Sequence, residues 1–266
     1  MNSPQGFRPS MIYTCYEMIQ DCRAGRPEGL AYLVTHYVPF IRKVAAHYSP
    51  ADSRLVEKAV QSIPQSDLFA ALEPAPERWF LARLRQHIVA LVERRAPAID
   101  LDLESVAKAL EPLTVVEKQA AWMETMRYPA EQAGTMLRMA PATVQKIRDR
   151  ASELVRGSVD AWHQGILAES GFSLGQAAAA HSTGDCLTPK AFLDVLDGRN
   201  TWRDREDMER HVTGCWHCVD HFCRIAEVIE LVRGMQPLSD SEAAPYLKIL
   251  GVTAEKKSGW KKLFGR

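Results

Sequence analysis

Two cysteines and a histidine in the last third of the chain have the spacing of metal ligands. His211, Cys215 and Cys218 form the pattern H-x3-C-x2-C, and Cys186 precedes them with 24 intervening residues. Thiolate sulfur and imidazole nitrogen are the ligands that Zn²⁺ prefers, and a closed set of four such ligands is structural rather than catalytic. The spacing therefore predicts a structural Zn²⁺ site of the Cys3His type.

The elements that must position these ligands are two consecutive helices. We expect His211 to end one helix, Gly214 to allow the turn, and the two cysteines that follow to lie one helical turn apart at the start of the next helix. Cys186 would then pin a helix over residues 187–197 to that pair. In so small a unit, metal binding supplies much of the folding free energy.

Cys186 is the ligand with the most alternatives. Three nearby side chains could replace it, namely His217, His221 and Cys223. The other interpretation of the whole cluster is packing alone, since free cysteine packs well as a small hydrophobic residue.

A second pattern, over residues 113–155, predicts a helix-turn-helix. It contains a short helix from about Ala130 to Leu137, a turn through 138–140, and a longer helix that opens at Pro141, a residue suited to a first helical position. The segment 138–156 has five basic and two acidic residues, which favours contact with phosphates. The candidate DNA contacts on this helix are Ala142, Thr143, Gln145, Lys146, Arg148 and Arg150.

A second basic helix is predicted from Glu77 to Arg95, again with five basic and two acidic residues. Its apolar spacing predicts that one face packs in a core. Arg83, Arg85, Arg94 and Arg95 are its candidate phosphate contacts.

The overall composition and the absence of certain patterns limit the possible fold and function classes. The 266 residues are 46% hydrophobic and 25% charged, with 33 basic and 33 acidic residues. Strand patterns are nearly absent, so we expect an all-α fold. No signal-peptide pattern or spanning apolar segment is seen, which predicts a cytoplasmic protein without stable membrane insertion. No nucleophile–base pattern, phosphate-binding glycine loop or carboxylate pair is evident, so we expect no enzyme.

Proline and glycine breaks predict two small helical domains, a zinc-binding helical module and a tail. The expected boundaries are 1–96 and 103–157 for the two domains, 158–185 for a linker, 186–234 for the zinc module and 235–266 for a flexible basic tail.

The zinc pattern resembles a known family. Cys186, the segment LTPKAFLDVLDG and the later H-x3-C-x2-C are similar to the zinc-binding anti-sigma domain over about fifty residues. In that family the module clamps a sigma factor, and in some members oxidation of the thiolates ejects the zinc. The resemblance implies a module that binds a regulatory protein partner.

The helix-turn-helix resembles region 4 of bacterial sigma factors of the extracytoplasmic-function group, which reads the −35 promoter element. Leu113 and Glu117 match its first helix, Ala142-Thr143-Val144 stands where Gly-Thr-Val is usual, and Arg150-Ala151 with Leu154 closes the pattern. The N-terminal domain is similar to region 2, with residues 77–95 in place of its final helix.

These resemblances imply a sigma-like initiation factor that directs the RNA polymerase core to promoter DNA and is regulated by its own zinc module. Sigma factors dock on polymerase with an acidic Asp-x-Glu-Asp-like segment followed by Gln and aromatic residues, and the segment 51–61 departs from that pattern, with only Asp52 and Glu57 as acidic residues and then Gln61. The alternatives are a degenerate sigma-like DNA-binding regulator that does not initiate transcription, and a protein that sequesters a partner through the zinc module.

Overall fold

The structure is a computed structural model that describes residues 13–69, 77–93, 101–158 and 165–252. Over these ranges every regular element is helical, as expected for an all-α fold. The chain divides into an N-terminal unit, residues 1–92 and 231–266, and a central unit, residues 93–230. Among the described helices, none is long and apolar enough to cross a membrane.

Fourteen α-helices are described. In chain order they are α1 (Cys15–Arg23), α2 (Pro27–Tyr48), α3 (Leu55–Ser62), α4 (Glu77–Glu93), α5 (Leu103–Ala109), α6 (Val115–Thr125), α7 (Ala130–Leu137), α8 (Pro141–Ser158), α9 (Ile166–Glu169), α10 (Gly171–Ala180), α11 (Pro189–Leu196), α12 (Trp202–Gly214), α13 (Trp216–Val232) and α14 (Asp240–Ile249).

The N-terminal unit is built around α2. Its buried side chains recur every three or four residues, so one face of this 22-residue helix is covered by its neighbours. The chain turns before α2 at Gly25, whose φ of +67° is a conformation that glycine adopts at little cost, and Pro27 opens the helix. Helix α1 packs against α2 where Gly29 leaves no room for a side chain.

The C-terminal segment differs from the flexible tail expected over 235–266. Residues 240–249 form α14, which packs against α2 and α3 of the N-terminal unit. Its start is fixed because Ser239 and Glu242 form a reciprocal capping box, and Ala243 and Leu247 are buried. The sequence did not predict this helix, because its few buried apolar residues are separated by polar residues and form only a weak helical pattern. The basic residues from 253 onward lie outside the described residues.

The central unit contains the expected helix-turn-helix. Helices α7 and α8 pack on α6, and the turn between them passes through Arg138 in the left-handed region, with φ of 56°. At Gly134 an added Cβ would lie 2.6 Å from the carbonyl oxygen of Met139, so the close approach of the turn requires glycine here. Pro141 opens α8 as expected.

The segment expected as a linker, 158–185, is folded into the central unit from residue 165 to residue 180. Helices α9 and α10 pack on α6, and Leu174 and Ala178 are buried. Gly171 makes the closest contact, because a Cβ there would lie 1.9 Å from the carbonyl oxygen of Thr125. Repeated alanines resemble a linker in composition, but small side chains also let helices pack closely.

A single apolar core joins the helix-turn-helix to the cysteine-containing helices. Trp122 of α6, Val144 of α8, Phe192 of α11 and Val219 of α13 all belong to it. The expected division into a domain over 103–157 and a separate module over 186–234 is therefore replaced by one compact unit.

Candidate metal centre and candidate DNA interface

The four predicted ligands come from three points in the chain. Thr188 caps the start of α11, so Cys186 lies in the approach to that helix. Helix α12 carries His211 in its last turn and ends at Gly214. Cys215 is the extended residue between α12 and α13, and Cys218 lies in the first turn of α13. The tight α12–α13 connection brings the last three ligands to one place.

The structure brings all four side chains together, with their ligand atoms within 4.8 Å of one another. The Sγ atoms of Cys186 and Cys215 are 3.7 Å apart, and Cys218 Sγ is 3.2 Å from His211 Nε2. A tetrahedral site with metal–sulfur bonds of about 2.3 Å has sulfur–sulfur edges of about 3.8 Å. The cluster has the size and donor set to bind a metal ion.

Backbone groups around the cluster donate toward its sulfurs. Thr183 N–H donates to Cys186 Sγ at 3.2 Å, and Leu187 N–H donates to Cys218 Sγ at 3.4 Å. Burial opposes the charged form of Cys186, but hydrogen bonds from Thr183, Cys215 and His211 outweigh it and lower its pKa to about 6. Burial raises the pKa of Cys218 to about 12. A bound cation would stabilise the thiolates that burial disfavours.

The three alternative ligands lie in other contacts. His217 Nδ1 is 3.2 Å from the carbonyl oxygen of Ala178, the His221 ring stacks on Phe192, and Cys223 is fully buried in the core. Helical geometry explains the difference, because His217, one residue before Cys218, points to another side of α13, and His221 and Cys223 lie three and five residues farther along the helix.

Helix α6 is bonded to both sides of this centre. Lys118 is 3% exposed, and its Nζ donates at 2.7 Å to the carbonyl oxygen of Thr213 in the last turn of α12, where the helix dipole favours a positive charge. Trp122 donates from Nε1 at 2.9 Å to Asp220 of α13, and its ring lies 5.1 Å from that of Trp216. The residues next to the candidate ligands are thereby held by α6.

Farther along α13 a second buried polar bond joins the helix to the end of α6. Tyr128 donates its hydroxyl at 2.7 Å to Glu227, which is fully buried. Asp220 forms an ion pair with Arg224 at 2.8 Å. Our sequence interpretation missed these residues. Their signal is two acidic residues seven apart, Asp220 and Glu227, on the same face as buried Cys223.

The start of α8 presents most of the predicted DNA contacts to solvent. Ala142, Thr143, Gln145 and Lys146 are all exposed, while Val144 between them is buried in the core. Gln145 donates to Asp149 at 2.8 Å on the same surface. This face is polar and lies at the start of the second helix of the motif, the position from which helix-turn-helix proteins read the major groove.

Two arginines of α8 differ in position. Arg148 is 7% exposed, and its Nε donates to the carbonyl oxygen of Ala120, so the structure removes it from the surface set. Its place on the helix, four residues after Val144, explains the burial. Arg150 is half-exposed and forms an ion pair with Glu117 of α6 at 3.1 Å.

The arginines of α4 lie in the N-terminal unit. Arg85 is 3% exposed and donates to the hydroxyl of Tyr48, so it is an interior residue and not a phosphate contact. Arg83 donates at 2.9 Å to the carbonyl oxygen of Asp67. Arg94 and Arg95 lie outside the described residues.

Comparison of the chain with protein-family models, with curated proteins and with solved structures found no match in any of the three.

Proposed function

We propose that this chain is a sigma-like transcription factor that binds promoter DNA through the start of α8, recruits the RNA polymerase core, and is regulated by a Zn²⁺ centre of its own. The observation that carries the proposal is the polar start of α8, a helix held by α6 and α7, where Thr143, Gln145 and Lys146 are exposed. Short polar and basic side chains at such a helix start reach base edges and phosphates.

Zinc is the metal that the donor set favours. Three thiol groups and one imidazole at tetrahedral spacing leave no open position for a substrate, so the ion has a structural role. Cys186, His211, Cys215 and Cys218 would hold it, and it would supply charge to keep the thiolates ionised. The chain's own contribution is to fix the ends of α12 and α13 against α6 through Lys118.

Regulation in this proposal acts through α6 rather than by covering the start of α8. The centre is bonded to α6 by Lys118 and, through Asp220, by Trp122. On its other side α6 contacts α8 through the Glu117–Arg150 ion pair. A loss of metal that loosens α12 and α13 would therefore loosen the helix on which the DNA-binding helix rests.

The experiment that tests the proposal is run-off transcription with purified core polymerase and a genomic promoter pool, alongside DNA retention by the chain alone. We expect Lys146→Ala with Gln145→Ala to lower DNA binding at least about tenfold, since phosphate and base contacts are both removed. Lys108→Ala, in the last turn of α5, is the matched control. Equal DNA binding by all three proteins would refute the assignment of α8.

The regulatory part needs point variants rather than truncation. A deletion from residue 186 onward would remove Phe192, Val219 and the other core residues of α11 and α13, so loss of activity would report unfolding. Chelation of the intact chain, followed by addition of Zn²⁺, is the cleaner test. We expect DNA binding to fall on chelation and to return with the metal.

A second candidate is a DNA-binding regulator that does not initiate transcription. Segment 51–61 favours it, because α3 buries Leu55, Ala59 and Val60, and its exposed positions offer a single carboxylate, Glu57, and no aromatic side chain for docking on polymerase. DNA retention without transcripts at any metal level would select this candidate.

A further inference from the structure

Helix α12 is the most exposed long helix of the central unit. Of its 13 residues only Val212 is buried, although the helix is fixed at one end by the metal ligands. Its first residue, Trp202, is 78% exposed. A tryptophan ring left in water is costly, and at protein interfaces tryptophan is among the residues that contribute most to binding. Trp202 is therefore the side chain whose exposure most needs explanation.

An apolar groove lies beside α12. Its volume is about 170 Å³, and an apolar cavity of roughly 150 Å³ is sufficient to hold a benzene ring. The groove thus has room for one aromatic side chain. Residues from α6, α11, α12 and α13 line it, chiefly Val115, Val116, Phe192, Met208, Val212 and Phe222. Val116 at its edge is itself 49% exposed.

Trp202 and the groove share one face of α12. Trp202, Arg205, Glu209 and Val212 follow one another at intervals of three, four and three residues, which places them on a single stripe of the helix. Arg205, Glu209 and Val212 line the groove, and Trp202 lies one turn beyond it. The stripe therefore has an aromatic side chain at one end and the apolar groove at the other.

The order of side chains along this stripe is self-complementary. Read from either end it is apolar, charged, charged, apolar, and the two charges have opposite sign. If a second α12 lies antiparallel against the stripe, with the two-fold axis level with Asp207 along the helix, Trp202 of each copy meets Val212 of the other, and Arg205 meets Glu209. Antiparallel packing also aligns the two helix dipoles favourably.

We propose that α12 and the adjoining groove form a dimer interface with a second copy of this chain, in which Trp202 of each copy fills the groove of the other. Two equivalent ion pairs between Arg205 and Glu209 fix the register. The charges of this stripe complement the same stripe in the reverse direction. This symmetry argues for a second copy, because binding of an unrelated helix would not require it. The inference is independent of the proposed DNA-binding function.

Charge reversal on the stripe is the sharpest test. Arg205 and Glu209 are both exposed, so Arg205→Glu and Glu209→Arg leave the core of the unit intact. Each variant alone places like charges opposite one another twice. A one-to-one mixture of the two variants pairs opposite charges again at both positions. Arg203→Glu makes the same charge change on the same helix but off the stripe, and is the matched control.

The measurement is sedimentation equilibrium of the full zinc-loaded chain over a range of concentrations. We expect a dimer that Trp202→Ala weakens by at least about 30-fold and that either charge reversal weakens by about tenfold or more. The mixture should recover association, and Arg203→Glu should leave it unchanged.

Three outcomes would overturn the proposal. The first is a monomer at every concentration. The second is a dimer that Trp202→Ala leaves unchanged, which would place the interface elsewhere. The third is a monomer whose α12 surface instead binds a foreign amphipathic helix, detected as Trp202-dependent peptide binding. DNA binding is read separately, so either proposal can fail while the other holds.

Discussion

The two units of this molecule hold their interiors together by different means. Of the residues that the structure describes, the N-terminal unit has one buried charged side chain, Arg85, within a core of aliphatic and aromatic residues. The central unit buries six polar or charged side chains, and it also contains the four residues of the candidate metal centre. The six are Lys118, Thr125, Arg148, Ser170, Asp220 and Glu227.

This difference teaches how each unit can respond to its surroundings. Apolar packing is non-directional and depends little on bound ions, so the N-terminal unit should be indifferent to metal. A buried polar bond requires its partner at a fixed place, and loss of one partner leaves the other without compensation. The central unit therefore has a more exactly specified geometry, and we expect it to depend more on any metal ion bound at the candidate centre.

Removal of a metal ligand should have the largest effect and should separate the two units. Structural zinc binding in small domains corresponds to about 10 kcal/mol, so Cys218→Ser should unfold α12 and α13 and loosen α6. Hydrogen exchange should rise in peptides of these helices and stay unchanged in α2. Cys15→Ser, a thiol change in the N-terminal unit, is the control. Full protection of α13 in the Cys218 variant would contradict the comparison.

The second-largest loss of stability is expected from the substitution of a closely packed glycine. Gly171→Ala brings a Cβ to 1.9 Å from the carbonyl oxygen of Thr125, and because backbone must move, we expect a loss of about 3 kcal/mol in the free energy of unfolding. Urea denaturation measures it. Gly29→Ala, at 2.6 Å from Cys22 N, is the equivalent change in the N-terminal unit.

Gly157 is the control for both glycine variants. It lies in α8 with no atom within 4 Å of its added Cβ, so alanine should be neutral or stabilise by up to about 1 kcal/mol. If Gly171→Ala matched Gly157→Ala, the close packing of α10 on α6 would be wrong.

A smaller effect tests the buried polar bonds. Tyr128→Phe removes a donor from the buried Glu227 carboxylate, and we expect a loss of about 1.5–3 kcal/mol, the range for bonds to charged groups. Chemical denaturation of the metal-loaded protein gives the value. Tyr16→Phe, at a side chain that is 44% exposed, should change stability little. Equal losses of unfolding free energy in the two variants would show that the hydrogen bond from Tyr128 does not stabilise the buried Glu227.

The smallest effect should be the same in both units. Thr14 with Glu17 begins α1, and Thr114 with Glu117 begins α6, each as a reciprocal capping box. Thr14→Ala and Thr114→Ala should each cost about 1 kcal/mol in the free energy of unfolding. A much larger loss for Thr114→Ala would mean that this helix start transmits strain to the metal centre, which would sharpen the contrast between the units.

Much of the local structure followed from the sequence. The all-helical class, the start of α8 at Pro141 and the end of α12 near Gly214 all rest on local sequence preferences, which do not require the rest of the fold. Ligand spacing along α12 and α13 is also local, and it placed His211, Cys215 and Cys218 together. Cys186 was predicted as the fourth ligand from the motif pattern. The fold of the segment before α11 brings it to the other three.

The structure alone decided how these pieces combine. Whether Arg85 and Arg148 face solvent depends on which neighbours cover them. The sequence alone does not distinguish a buried arginine from an exposed one. Residues 166–180 and 240–249 are helices because other helices bury them, although their composition suggests a linker and a tail. Local spacing thus determined the helices and the candidate ligands, and long-range packing determined that the helix-turn-helix and the candidate metal centre share one core.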